Sequence, residues 1–504
     1  MKLYLNGSVH INDSILINNL YEILVNEYGF KDIFNRIGIS PKLNLNTDEI
    51  KKINDWIKIN STGANSKIEL IKRLESFRNI SGDPKKFNIQ VKSVVNLYIL
   101  IIDIFDFTKK YNLKFLDYKE HLQYLEASQN FIFEKENFRR DNLVHQIRVF
   151  LLGCYIINTD KEFWMRRIYK SIQKDLPWAS FFVFGQNLIN KEFRLKSLFF
   201  AWMILSLFHD VGRPIEDANK TINGIRKTYK TLPKFRWGYY RDFYGIKQFN
   251  ELDLSNLNIE PNEIGERKLK GLFIFLGWIH KDKREYIESI IKNQFEKRDH
   301  GTVSAVLSTD YEYIEKNFSV ITTFTKHLKE PEATFFFLLI HYSFISISLH
   351  NNRKYFFISP LTQLIIAADT LQEWDRLTKI GDIIRTIYPC NRIELKLDYT
   401  HSSDGVVIKS IIPFDKPKDV LSAEIFNRRE TDQKKLFEEL VKSQDENEFG
   451  IFFEKGMELR IGFLETNRNE IQKLMICGNC GRTTVRSEKN DTNIDNFICS
   501  SCRV

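Results

Sequence analysis

The sequence predicts a mainly α-helical protein that carries a small α+β domain and a cysteine-rich tail. Three observations lead there. Long apolar stretches between about 126 and 385 have helical spacing and end at Gly and Pro stop signals. Short runs after about 388 alternate apolar and polar residues, as strands do, and four of the six cysteines form two CxxC units beyond 471. These shifts divide the chain into an N-terminal helical region over 1–125, a helical core over 126–387 with an insertion at about 215–295, an α+β domain over 388–470 and the tail over 471–504.

The elements follow in order. In "TDEIKKINDWIKI", Ile50, Ile53 and Ile57 recur at helical spacing, and "SVVNLYILIIDIFDFTKKY" is a strongly apolar helix candidate with a strand as the alternative. "NLVHQIRVFLLGCYII" sets Leu143, Ile147, Phe150, Leu151 and Cys154 along one broad face. "FRLKSLFFAWMILSLFHDVGRP" reads as a core helix that stops at Gly212 and Pro214. A polar and aromatic insertion runs from Pro214 to about Glu296, and two further helices follow it. Ser359 and Pro360 suit the start of a last helix, read through "SPLTQLIIAADTLQEWDRLTKIGDII". "RIELKLDYT" and "GVVIKSIIPF" read as strands about a Ser-Ser-Asp-Gly turn, "SAEIFNRRETDQKKLFEELVKSQ" as a helix and "MELRIGFLE" as a third strand.

Composition excludes several classes. With 43% hydrophobic residues and only 11 Pro, the chain is an ordered protein and not a disordered linker. The N-terminal stretch lacks the basic region, long apolar run and small-residue cleavage site of a secretory signal. Its most apolar segments are short for membrane spans and each carries His, which favours buried helices over membrane insertion. Paired CxxC units with two isolated cysteines, Cys154 and Cys390, fit metal binding in a reducing compartment, so a cytoplasmic location is expected. A formal net charge of +9 favours phosphate-rich partners, although it also serves solubility.

Chemistry concentrates at His and Asp residues in apolar surroundings. His209-Asp210 ends the most apolar helix, while His145, His300, His341, His350 and Asp369 lie in comparable settings. Burying imidazoles and carboxylates without partners is costly, and a divalent cation would satisfy both. Each residue also has a simpler reading. His209-Asp210 could meet a helix dipole, His145 could bond a carbonyl, and Asp369 could be a cap or an ion-pair partner.

The order His145 … His209-Asp210 … Asp369 resembles the H…HD…D signature of the HD superfamily of metal-dependent phosphohydrolases. "RDHGTVSAVL" and "SISLHNN" resemble the additional His positions of members with expanded, often binuclear sites. The resemblance covers about 130–385, roughly half the chain. It implies that His145, His209, Asp210 and Asp369 hold one divalent ion (Mn, Fe, Co, Ni or Zn) and that His300 and His350 hold a second, with Asp210 bridging. His341 fits this pattern less well and reads as a core or supporting histidine. The chain departs from the cyclic-dinucleotide-degrading subgroup: it has no Gly-Tyr-Pro motif, and Asp299 stands where that group has a second His, which argues against cyclic di-GMP as substrate.

The reaction the resemblance implies is hydrolysis of a phosphomonoester or phosphodiester in a nucleotide or other phosphorylated small molecule, with paired ions activating water and offsetting charge on phosphate. Cations near the ligands are the candidate substrate clamps: Arg140, Arg148, Arg213, Arg298 and Arg376. Lys230, Lys234, Arg236, Trp237, Tyr240 and Arg241 interleave charge with aromatics, as a base-stacking surface does and as a solvated loop also can. A nuclease acting on single-stranded DNA or RNA is the nearest enzymatic alternative, and a non-catalytic nucleotide-sensing or nucleic-acid-binding protein is the other. Cys477, Cys480, Cys499 and Cys502 have the spacing by which two tight turns present four thiolates to a structural zinc, and the pattern resembles a zinc ribbon. Such an ion supplies the folding energy of a tail too small to form its own core.

Overall fold

The computed structural model describes residues 8–60, 65–80, 87–106, 138–140, 142–175, 189–213, 281–297, 299–308, 330–351, 359–372, 377–380, 383–386, 393–400, 405–411, 460–462, 471–476 and 483–488. Helices α1 (Asp13–Glu27), α2 (Lys31–Ile37), α3 (Thr47–Asn60), α4 (Ser66–Ile80) and α5 (Phe87–Phe105) form the N-terminal part. The core helices are α6 (Asn142–Thr159), α7 (Lys161–Asp175), α8 (Lys191–Phe208), α9 (Lys281–Glu296), α10 (His300–Ser308), α11 (Glu330–Leu349) and α12 (Pro360–Leu371). The strands are β1 (Val9–Ile11), β2 (Phe138–Arg140), β3 (Leu377–Ile380), β4 (Ile383–Thr386), β5 (Ile393–Thr400), β6 (Gly405–Ile411), β7 (Arg460–Gly462), β8 (Ile471–Ile476) and β9 (Thr483–Glu488).

Helix α8 is the axis of the core. It packs against α6 on one side and α11 on the other, and every residue from Ser197 to Phe208 is buried. An apolar surface all round is what a central helix requires. Trp202 of α8 donates its indole N–H to the Phe150 carbonyl of α6 at 2.9 Å, which satisfies the one polar atom of a large buried side chain. Helices α1 and α5 lie against α6, so the N-terminal helices extend the same apolar core. Helix α9 occupies the end of the stretch read from sequence as an insertion, and it buries Ile287, Ile290, Ile291 and Gln294 at helical spacing. None of the described helices is long and apolar enough to cross a membrane.

Helix α12 starts as its sequence indicates, with Ser359 extended at φ −152° and its hydroxyl accepting the Thr362 N–H at 3.0 Å, and Pro360 in the first turn. It is shorter than its sequence pattern suggested. The helix stops at Leu371, and the β3–β4 hairpin follows within the segment read as helical. The cause is tertiary: β3 pairs antiparallel with β2, matching Phe138 to Ile380 and Arg140 to Thr378. That pairing ties the segment before α6 to the segment after α12.

The second sheet has the order β1-β5-β6-β7-β8-β9, antiparallel except between β6 and β7. Strands β5, β6 and β7 fall within segments read as strands. Two features are absent from that reading. The N-terminal strand β1 joins this C-terminal sheet beside β5, and the β8–β9 hairpin continues it past 471, the position at which the tail was set apart.

Candidate metal centre

Four histidines and two aspartates converge from five helix ends. His145 lies in the first turn of α6, His209 and Asp210 at the end of α8, His300 at the start of α10, His350 at the end of α11, and Asp369 near the end of α12. Two groups form, His145/His209/Asp210 and Asp210/His300/His350, each with its ligand-type atoms within 4.8 Å of one another. Asp210 belongs to both. Its Oδ2 lies 3.7 Å from His209 Nε2, while its Oδ1 lies 3.2 Å from His300 Nε2 and 3.5 Å from His350 Nε2. Asp369 Oδ1 completes the first group, 2.8 Å from His145 Nε2 and 4.0 Å from His209 Nε2.

The far side of three rings fixes their orientation. His209 Nδ1 donates to the Ser206 carbonyl at 2.8 Å, His350 Nδ1 to the Ile347 carbonyl at 2.7 Å, and His145 Nδ1 to Oε1 of Gln372 at 2.5 Å. A proton held on Nδ1 leaves the Nε2 lone pair for a metal, the usual arrangement of ligating histidines. The rings also support each other edge to face, with centroids 5.6 Å apart for His145–His209, 4.9 Å for His209–His350 and 5.2 Å for His300–His350.

Electrostatics set the protonation states. Burial pushes His209 down to about 4, against the pull of Asp210 and Asp369, so its imidazole is neutral at pH 7. Burial works to raise Asp210, but its electrostatic attraction to the surrounding imidazoles, His209 first and then His300 and His350, prevails and holds it well below the usual carboxylate range. Tyr98 of α5 bonds Gln146, and burial, followed by the Asp210 charge, raises its phenol well above its ordinary value.

The donor set fits divalent ions. Nε2 of His209 is buried and has no hydrogen-bond partner, the condition expected of a nitrogen reserved for a metal. Donors about 2.1 Å from one ion lie roughly 3.0 to 3.4 Å apart in octahedral or tetrahedral arrangements. The observed separations of 2.8 to 4.0 Å bracket that range. The loop that carries Asp210 is held in place too: Gly212 donates its N–H to the Ser304 hydroxyl at 2.8 Å, and a Cβ there would lie 2.7 Å from the His300 carbonyl and from the Ser304 nitrogen.

The remaining expected residues are placed as follows. Arg148 is wholly buried and forks onto Asp13 of α1, with contacts of 3.0 to 3.2 Å. Its guanidinium fastens α1 to α6, and the phosphate-clamp expectation for Arg148 finds no support in that geometry. Arg213 follows Asp210 by three residues, and its backbone N–H donates to the Asp210 carbonyl at 3.0 Å. His341 is buried on α11 outside both groups, and burial lowers it well below its ordinary value. The side chains of Arg140, Arg298, Arg376, Lys230, Lys234, Arg236, Trp237, Tyr240 and Arg241, and of Cys477, Cys480, Cys499 and Cys502, lie outside the described residues.

Sequence reasoning missed Gln372, which follows Asp369 by three residues and so stands one turn on, a spacing that marks it as a neighbour of the site. It also missed the supporting roles of Asp299, Asn351 and Ser304. Comparison with family models, with curated proteins and with solved structures yields no match.

Proposed function

We propose that the chain is a metal-dependent phosphohydrolase of the HD type, cleaving a phosphomonoester or phosphodiester bond in a nucleotide. The observation that supports this reading is Asp210, whose Oδ2 faces His209 Nε2 and whose Oδ1 faces His300 and His350 Nε2, so that it belongs to both ligand groups. When bound, one or two divalent ions would lower the pKa of water, orient a phosphate and offset its developing charge. His145, His209, Asp210 and Asp369 would hold the first ion, and His300, His350 and Asp210 the second. The Nδ1–H bonds of His145, His209 and His350 keep their lone pairs aimed inward, and the burial of His209 keeps it unprotonated at neutral pH. Buried walls around these donors keep them from competing solvation. The reading includes a structural zinc on Cys477, Cys480, Cys499 and Cys502, carried by their spacing, and a cytoplasmic setting.

The test is incubation of metal-defined protein, beside a His209→Ala/Asp210→Ala control, with a mixed pool. The pool holds nucleoside mono- and triphosphates, cyclic dinucleotides and short oligonucleotides. Mass spectrometry is expected to show a Mn- or Fe-dependent nucleotide product that is absent from the control. Cleavage of the oligonucleotides alone would replace the reading with a nuclease, and no turnover with any loaded metal would favour a sensing or binding protein.

A further inference from the structure

Asp299 occupies a position where the sequence departs from the expected histidine, and its carboxylate makes two kinds of contact. Oδ1 accepts the backbone N–H of Gly301 at 3.0 Å and lies 3.4 Å from that of Thr302, capping the first turn of α10. Oδ2 accepts the side-chain amide of Asn351 at 2.5 Å. Asp299 directly precedes His300, and Asn351 directly follows His350. One carboxylate therefore joins the helix ends that carry both histidines of the second group.

The surrounding contacts tighten the same junction. A Cβ at Gly301 would lie 3.0 Å from the Ile347 carbonyl and 3.1 Å from His350 Nδ1, so the α10 backbone abuts the last turn of α11. Thr302 Oγ1 lies 3.3 Å from the Ser348 carbonyl and 3.2 Å from Gln294 Oε1. None of these groups belongs to α6 or α12, which carry His145 and Asp369. Resting on the metal-centre reading, we propose that Asp299 and Asn351 are positioning residues for the second ion, and that their bond governs its occupancy separately from that of the first.

The experiment titrates Mn(II) into the full-length protein and into three variants: Asn351→Asp, Asn351→Ala, and the exchange Asp299→Asn/Asn351→Asp. Asn351→Asp sets two carboxylates against each other, whereas the exchange restores a donor and an acceptor and keeps an oxygen on residue 299 to cap α10. Electron paramagnetic resonance separates a coupled pair of Mn ions from an isolated one. The wild type is expected to give the coupled signal. Asn351→Asp and Asn351→Ala should keep one isolated Mn and bind the second about tenfold to a hundredfold more weakly. The exchange should recover the coupled signal. Wild-type affinity for the second ion in both single variants would overturn the proposal and leave the metal-centre reading standing. Loss of both ions together from Asn351→Ala would overturn the separation of the two sites. A wild-type protein that holds a single Mn and no coupled pair would overturn this proposal and leave a one-ion centre, and a wild type that binds no Mn would overturn the metal-centre reading as well.

Discussion

Replacing Gln372 with Met tests how the first metal group is held. The side chain is wholly buried, and its Oε1 accepts the Nδ1–H of His145 at 2.5 Å, while the backbone N–H of Gln372 closes α12 on the Ala368 carbonyl at 3.1 Å. Methionine keeps the length of the side chain, leaves the backbone bond in place and removes the acceptor for His145. A buried N–H without its partner costs about 1–3 kcal/mol. The imidazole can avoid part of that cost by moving its proton to Nε2, the atom that faces Asp369 Oδ1 at 2.8 Å. That move removes the lone pair the metal needs. First-site affinity should therefore fall about tenfold to a hundredfold, or about 1.4–2.7 kcal/mol. Competition with a fluorescent chelator measures it, with the second site read separately by the coupled Mn signal. An unchanged first-site dissociation constant in Gln372→Met would refute this account of His145. So would equal weakening of both sites, because the Gln372 side chain bonds His145 of the first group.

Other outcomes follow from the same structure. Asp210→Ala removes the carboxylate common to both groups, so metal analysis should show both ions weakened together, whereas Asp369→Ala should weaken the first before the second. Arg148→Met removes the guanidinium that forks onto buried Asp13 and should cost about 3–5 kcal/mol in urea denaturation; Asp13→Leu/Arg148→Met should recover much of that loss. In the metal-free protein, His209 has a folded pKa of about 4 against an ordinary 6.5, so the neutral form is favoured by folding. Its contribution is complete above 6.5 and is lost as pH falls through the 6.5-to-4 window, about 3 kcal/mol in all. Thermal melts from pH 7 to 4 should show that decline in the wild type and a shallower one in His209→Gln. Asp210, held below its ordinary range, adds its own loss only at more acid pH.

Much of the core was legible because it depends on local pattern. The apolar run ending at His209-Asp210 and the Ser359-Pro360 start of α12 each state their structure within a few residues. What was not legible depends on distant partners. Arg148 looked available for phosphate because nothing near it in sequence announces Asp13, which lies 135 residues away. The end of α12 was misplaced because propensity continues past Leu371, while β2, itself far upstream, draws the following segment into a ladder. Asp299 read as a departure from the histidine of the cyclic-dinucleotide-degrading subgroup, although an Asp before a helix start is a good cap, and the carboxylate has that local use.

The β2–β3 ladder also has a bearing on the order in which the chain matures. Asp210, His300 and His350 all leave the ribosome before Asp369, and their helices α8, α10 and α11 contact one another directly. His145 emerges earlier still, yet its partners Asp369 and Gln372, and the strand that secures them, come more than 220 residues later. Closing so long a loop is slow compared with docking neighbouring helices. In chain order, the ligands on α8, α10 and α11 are thus complete before the residues that close the His145 contact have been made. The β2–β3 ladder joins the two ends of that long loop, so the last-made part of the core is tied directly to the segment that precedes His145.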